Sequence, residues 1–126
     1  MFTHIMIGSN DLERSRRFYD ALFAELGGGP GTMDARGRLA YIHDGSVFMI
    51  TKPINGEPAT VANGNTIGFK IVSPEQGDAW HKAGLENGGT SIEDPPGIRT
   101  NPPFKRYLAY LRDPDGHKIC AMMKVE

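Results

Sequence analysis

Two short stretches of this 126-residue chain hold most of the residue types that could do chemistry. One runs His43-Asp44-Gly45-Ser46-Val47-Phe48-Met49-Ile50, the other Asp113-Pro114-Asp115-Gly116-His117-Lys118-Ile119-Cys120. Each is a glycine turn that leads into a β-like run. Four residues past its glycine, the first places Met49 and the second Cys120. Cys120 is the only cysteine, which excludes an intramolecular disulfide and any paired-cysteine metal motif. Its thiol reads two ways: reactive if its surroundings are electropositive, with Lys118 on the same face by strand alternation, or a small buried hydrophobe. Met49, with Val47 and Met122, is adaptable pocket lining or ordinary core. His4 is a polar hook for a ligand or a hydrogen-bonded structural histidine. His43, His81 and His117 fall at turns or on a helix surface and read as exposed. Lys70, Arg99, Lys105 and Arg106, with Phe104 and Tyr107 as an aromatic wall, are an anion-binding rim or solvated charge. No glycine loop opens a helix as a phosphate cradle must, and no Ser-His-Asp set emerges from spacing.

The elements that must hold these residues come in a repeated order. Residues 2–8 alternate as a strand. Ser9, Asn10 and Asp11 offer N-caps for a helix over 12–26, whose stripe is Leu12, Ser15, Tyr19, Leu22, Phe23 and Leu26, and Gly27-Gly28 stops it. Short strands follow over 31–34, 39–43 and 47–51. A linker over 53–65, rich in Pro, Asn and Gly, separates this from a second round. There, a strand over 66–72 leads to a helix start at Ser73-Pro74-Glu75-Gln76, with Ser73 as cap and Pro74 at the first helical position. That helix runs to about 87, before Gly88-Gly89. Strands over 90–93, 107–112 and 118–125 complete the chain, with a Pro-rich loop over 94–105. His4 and Thr66 are 62 residues apart, and Gly45 and Gly116 are 71 apart. The repeat therefore pairs His4 with Thr66 and Met49 with Cys120. Strand parity sends Ile5, Ile7, Phe48, Ile50, Ile67, Phe69 and Ile119 toward the helices, and those four to the opposite, concave face.

The architecture this predicts is α+β: two tandem βαβββ modules forming a curled, barrel-like mixed sheet with a helix outside each module. It is one domain over 1–126, with module 1 at about 1–52 and module 2 at about 66–126. Fourteen basic and fifteen acidic residues leave a net charge of −1, with no basic stripe for nucleic acid. The apolar start of the chain is too short for a signal sequence or a membrane span, so the sequence reads as a soluble cytoplasmic protein. Edge strands and an apolar module face predict a homodimer.

The chain resembles the vicinal-oxygen-chelate superfamily, which includes glyoxalase I, bleomycin-resistance proteins and extradiol dioxygenases. The matching residues are His4-Ile5, Asp11-Leu12-Glu13-Arg14-Ser15 with Phe18-Tyr19, Gly68-Phe69, and the Asp113–Gly116 turn. The resemblance implies a cleft between paired modules, dimers that sometimes share modules across chains, and, in metal-dependent members, four ligand positions. Carried over, those are His4, Met49, Thr66 and Cys120. Only His4 keeps a usual ligand type; Thr66 is a poor neutral ligand, Met49 does not serve a hard ion, and Cys120 substitutes a soft donor for a carboxylate. The expectation is a small organic ligand in the cleft, with His4, Met49, Thr66, Tyr107, Cys120 and Arg99 around it and His4 and Cys120 the best catalytic candidates. No cofactor is expected beyond a weakly held divalent metal. The alternatives are a metal-dependent lyase or isomerase like lactoylglutathione lyase, a ring-cleaving dioxygenase, and a non-catalytic sequestration protein.

Overall fold

The structure, a computed structural model, describes residues 1–125; Glu126 lies outside them. Its elements run β1 (Ile5–Gly8), α1 (Leu12–Glu25), β2 (Thr32–Met33), β3 (Leu39–His43), β4 (Ser46–Thr51), β5 (Ile67–Lys70), α2 (Pro74–Glu86), β6 (Thr90–Ser91), β7 (Gly97–Asn101), β8 (Phe104–Arg112) and β9 (Lys118–Lys124). The repeated βαβββ order is present, with one addition. Residues 97–101, read from sequence as loop, form β7, a hairpin partner of β8. Proline-rich flanks hid it, because alternation over five residues is a weak signal beside four prolines.

Both helices begin as their caps dictate. Asp11 accepts from the Arg14 N–H at 3.1 Å, and Ser73 Oγ accepts from the Gln76 N–H at 3.1 Å. Gln76 does not return its bond to Ser73; its Oε1 accepts from Val72 N–H and its Nε2 donates to Glu25 O at the end of α1. Gly27 and Gly88 take positive φ past the two C-termini, a conformation open to glycine at little cost.

The strands form two mixed sheets, β1-β4-β3-β2 and β5-β9-β8-β6, with β7 on β8. They do not close into a barrel, and among the described residues no strand pairs across from one sheet to the other. What unites the modules is the helix side. One core holds Phe18, Tyr19, Leu22 and Phe23 of α1, Trp80 of α2, and the inward residues of both sheets, and α1 packs directly on α2. Phe69 of β5 sits edge-on to Phe23 and Phe48 of module 1, at 5.7 and 5.4 Å between ring centroids.

The turn 113–117 ties the modules a second time. Asp113 is buried and accepts from Tyr19 Oη at 2.7 Å and from the Asp115 and His117 N–H groups at 3.0 and 2.9 Å. Asp115 accepts from Arg14, Ser15 and the Asn10 N–H. Two of the three histidines expected to be exposed, His81 and His117, are placed otherwise. His81 is buried, 3.1 Å from Ser91 Oγ, and desolvation lowers its pKa; His117 donates from Nε2 to Gly8 O at 2.8 Å. Helix-surface position had suggested exposure, but the α1–α2 and sheet contacts cover that side. Among the described residues no helix is long and apolar enough to cross a membrane.

Candidate functional site

Side chains opposite each other on neighbouring strands share a face of the sheet. In the first sheet one such row is Met6, Met49, Ala40 and Thr32. In the second, the corresponding row is Gly68, Cys120 and Tyr110. Met49 and Cys120 therefore occupy equivalent places, each opposite the second residue of its module's first strand, as the sequence repeat predicts. Both rows lie on the side away from the helices, because Phe48, Ile50, Ile119 and Ala121 at the alternate positions are in the core.

The two faces differ in chemistry. The first is built from Met6, Ala40, Ile42, Val47 and Met49 and carries no charge; Ile42 is 74% exposed. The second surrounds Cys120 and Tyr110 with cations. At one end Arg112 lies opposite Lys118, whose ammonium pairs with Glu93 and stands 4.9 Å over the Tyr110 ring. At the other, Arg99, Arg106 and Lys124 form a row across β7, β8 and β9. Arg99 donates to the carbonyls of Pro95, Gly97, Leu108 and Asp94, which fixes its guanidinium against the 94–97 loop.

Of the residues expected at the site, the structure puts Cys120, Thr66 and Arg99 with the second face and His4 and Met49 with the first. The four repeat-paired positions are not joined within a single sheet. His4 and Thr66 are exposed just ahead of β1 and β5, and His4 Nδ1 is 2.9 Å from Thr3 Oγ1. Tyr107 is not on this side. It pairs with Met123 on the helix face, is 3% exposed, and donates its hydroxyl to Asp78 of α2. Burial and that bond raise its pKa well above the usual tyrosine range. Tyr107 was expected near the mouth of the cleft; Tyr110, three residues on, is the tyrosine on this face, beside Cys120. The signal that would have found it is the hairpin register. With five residues between Arg112 and Lys118, Cys120 faces Tyr110 and no other tyrosine.

Cys120 is buried, and desolvation pushes its thiol up to about 11; Lys118 pulls the other way without prevailing. It is therefore a protonated thiol at neutral pH, a weak nucleophile and a weak ligand. The donor set at the four positions is an exposed imidazole, a thioether, a threonine hydroxyl and this thiol. That set does not fit a hard divalent ion, which requires carboxylates and neutral imidazoles converging on one point. Among the described residues, no three His, Cys, Asp or Glu side chains gather as a metal-holding group.

A separate cleft of about 290 Å³ opens between the modules, walled by Ile5, Phe23, Phe48, Ile67 and Phe69 with His43, Asp44 and Lys70 among its lining. None of the six expected ligand-binding residues lines it.

Residues 1–121 match the model of the Glyoxalase/Bleomycin resistance protein/Dioxygenase superfamily. The chain belongs to that superfamily. A glyoxalase/bleomycin resistance protein from Albidiferax ferrireducens T118 is 57% identical, with 97% of this chain and 98% of that one covered and a TM-score of 0.93. Two more distant solved structures share the fold alone. The hypothetical protein SA1046 from S. aureus is 19% identical over 98% of this chain and 93% of that one, with a TM-score of 0.74. The fosfomycin resistance protein FosX from Mesorhizobium loti is 18% identical over 99% and 92%, with a TM-score of 0.66. No curated protein matches the chain. Superfamily membership fixes the architecture and leaves the reaction open, since sites and not folds carry chemistry.

Proposed function

We propose that this superfamily member binds a small organic molecule on the concave surface of its sheets, using Cys120, Tyr110 and the surrounding cations as the floor and rim. No hard divalent Lewis acid takes part. The observation that carries this is the pair Met49 and Cys120. Two equivalent registers place them where the superfamily resemblance puts carboxylate ligands, yet one is a thioether and the other a protonated thiol. A face with those groups offers dispersion, a weak thiol donor and electrostatic attraction, which suit holding a ligand better than polarising it through a metal.

The ligand surface is completed in a homodimer, where a second copy covers apolar side chains such as Ile42 that one chain leaves open. A free, unpaired thiol suits the reducing cytoplasm.

Two measurements test this. Elemental analysis of purified protein should give well under one equivalent of Ni, Zn, Fe or Mn; a stoichiometric metal lost on His4→Ala substitution would overturn the reading. Iodoacetamide should alkylate Cys120 slowly. A thiol pushed up to about 11 holds about a hundredfold less thiolate near pH 8 than an unperturbed thiol does. Alkylation as fast as that of free glutathione would place Cys120 at the surface and remove it from the site.

A further inference from the structure

We infer, building on the concave-face reading, that the ligand is an anion. Its oxyanion seats on the row Arg99–Arg106–Lys124, and its apolar body lies along Leu108 and Met122. Three observations converge on this row. The first is its register: Arg106 is the direct cross-strand partner of both Arg99 and Lys124. Like charges opposite each other destabilise a sheet, and neighbouring strands lie only about 4.8 Å apart, well inside the Debye length of about 8 Å at physiological salt. Among the described residues, the ion pairs formed by Asp and Glu involve none of these three cations. Among the described residues no ion pair offsets this concentration of positive charge.

The second observation is an unused donor. The Nε of Arg106 is buried and has no hydrogen-bond partner, although buried donors are rarely left unpaired. Its guanidinium is held 4.4 Å over the Phe104 ring, and that of Arg99 is anchored to backbone carbonyls. Both planar groups are oriented before a ligand arrives, so little side-chain freedom is lost on binding. The third is the neighbouring surface. A groove of about 580 Å³ runs from Gly68 past Val72 and Met122 to Lys124, and it leaves Val72 and Met122 exposed. With Lys124 at one end, Lys70 opposite Met122 and apolar side chains between them, the groove fits an amphipathic organic acid or phosphate ester.

Isothermal titration calorimetry of the full chain tests this with phenyl phosphate, benzoate and benzyl alcohol as probes. Phenyl phosphate should bind most tightly, because it brings two charges to the row, and benzoate less so. Benzyl alcohol should bind least. Arg106→Gln and Lys124→Gln should each weaken phenyl phosphate at least fivefold, while Lys52→Gln, on the first module, should leave it unchanged. Affinity for phenyl phosphate that is equal in all three variants overturns the assignment of the row. So does benzyl alcohol binding as tightly as the anions. Lys124 is exposed, so its variant folds even if loss of Arg106 disturbs β8. Iodoacetamide labelling of Cys120 in the same samples separates two failures. A neutral probe that shields the thiol refutes the anion alone, whereas no binding and no shielding by any probe at millimolar concentration refutes the concave-face reading beneath it.

Discussion

The two modules share one blueprint, and they differ most where they face a ligand and where their helices touch. On the helix side, positions 62 residues apart correspond: Ser15 with Gly77, Phe18 with Trp80, Tyr19 with His81, Leu22 with Gly84. All eight are buried. Yet α1 presents bulk where α2 presents glycine. Leu22 reaches toward the space at Gly84, and Tyr107 and Ile71 fill the space at Gly77. The nearest neighbour of Gly84 is Leu111 of β8, so α2 is thin chiefly to make room for its own sheet, with Leu22 and Phe18 of α1 next in line. On the concave side the asymmetry runs the other way. Module 1 is neutral and apolar, while module 2 carries the cations. Core packing and ligand chemistry have diverged on opposite faces of the same strands, which is possible because alternate residues answer to different neighbours.

The largest expected effect comes from erasing the helix-side difference. Gly84→Leu makes α2 resemble α1, but a Cβ there already falls inside van der Waals contact of Leu111 Cδ1 and lies 3.4 Å from Leu22 Cδ2. Overpacking of this kind should cost about 3 kcal/mol, read as a lower urea midpoint with an unchanged slope. A change under about 0.5 kcal/mol would mean that Leu111 and Leu22 give way easily and that the thin helix is not required by its neighbours.

Much of this layout is legible in the sequence, for identifiable reasons. Asp11 and Ser73 announce the helix starts, Gly27 and Gly88 the stops, and duplication turns each weak strand signal into two. The equivalence of Met49 and Cys120 survives because it is counted from turn glycines on the strands that carry those residues. The charge of the second face is legible in part: the sequence offers Arg99 and Arg106 as an anion-binding rim, but not Lys124 as the third member of their row. Whether Tyr107 or Tyr110 joins Cys120 depends on the 113–117 hairpin, and a one-residue slip exchanges the two faces. Local bonds shape that loop, since Asp113 accepts from the Asp115 and His117 N–H groups, and Asp113 also reaches Tyr19 on α1, a contact spanning 94 residues. The strand β7 was hidden for a different reason, because four prolines flank its five residues.

Asp113 supplies a mid-sized prediction, because it belongs to the sheet of module 2 but answers to the helix of module 1. Burial raises its pKa above 3.8, against the pull of the Tyr19 bond and His117. A raised folded pKa means that the folded protein holds the proton more tightly than the unfolded one. The associated stability is fully present below the unfolded value near 3.8 and is lost as pH rises through the folded pKa. Asp113→Asn keeps the shape and lacks that titration. It should cost about 1 kcal/mol at pH 3.5 and less at pH 7, because only the wild type weakens over the interval. Urea titrations at the two pH values decide it. A cost that grows with pH would show that the ionised carboxylate is the better partner for Tyr19.

The smallest effect bears most directly on the contrast between the faces. If Arg99, Arg106 and Lys124 repel one another, then removing the exposed end of the row should stabilise the free protein, although a lysine is being lost. Cross-strand like-charge pairs cost a few tenths of a kcal/mol, so Lys124→Gln should add about 0.3 kcal/mol in low salt. Near 1 M NaCl, where screening acts within about 3 Å, the gain should vanish. Lys52→Gln follows the uncharged first face and should change nothing at either salt concentration. Phosphate should do more than chloride at equal ionic strength, since an anion that binds the folded row stabilises it by mass action as well as by screening. The decisive comparison is thus among variants and salts, with thermal midpoints as the readout. Destabilisation by Lys124→Gln, unchanged by salt, would mean that the row is held by packing of the lysine stem and that its charges cost the fold nothing. The contrast between the two faces would then be one of composition without energetic consequence, and the case for an anion would lose its first support.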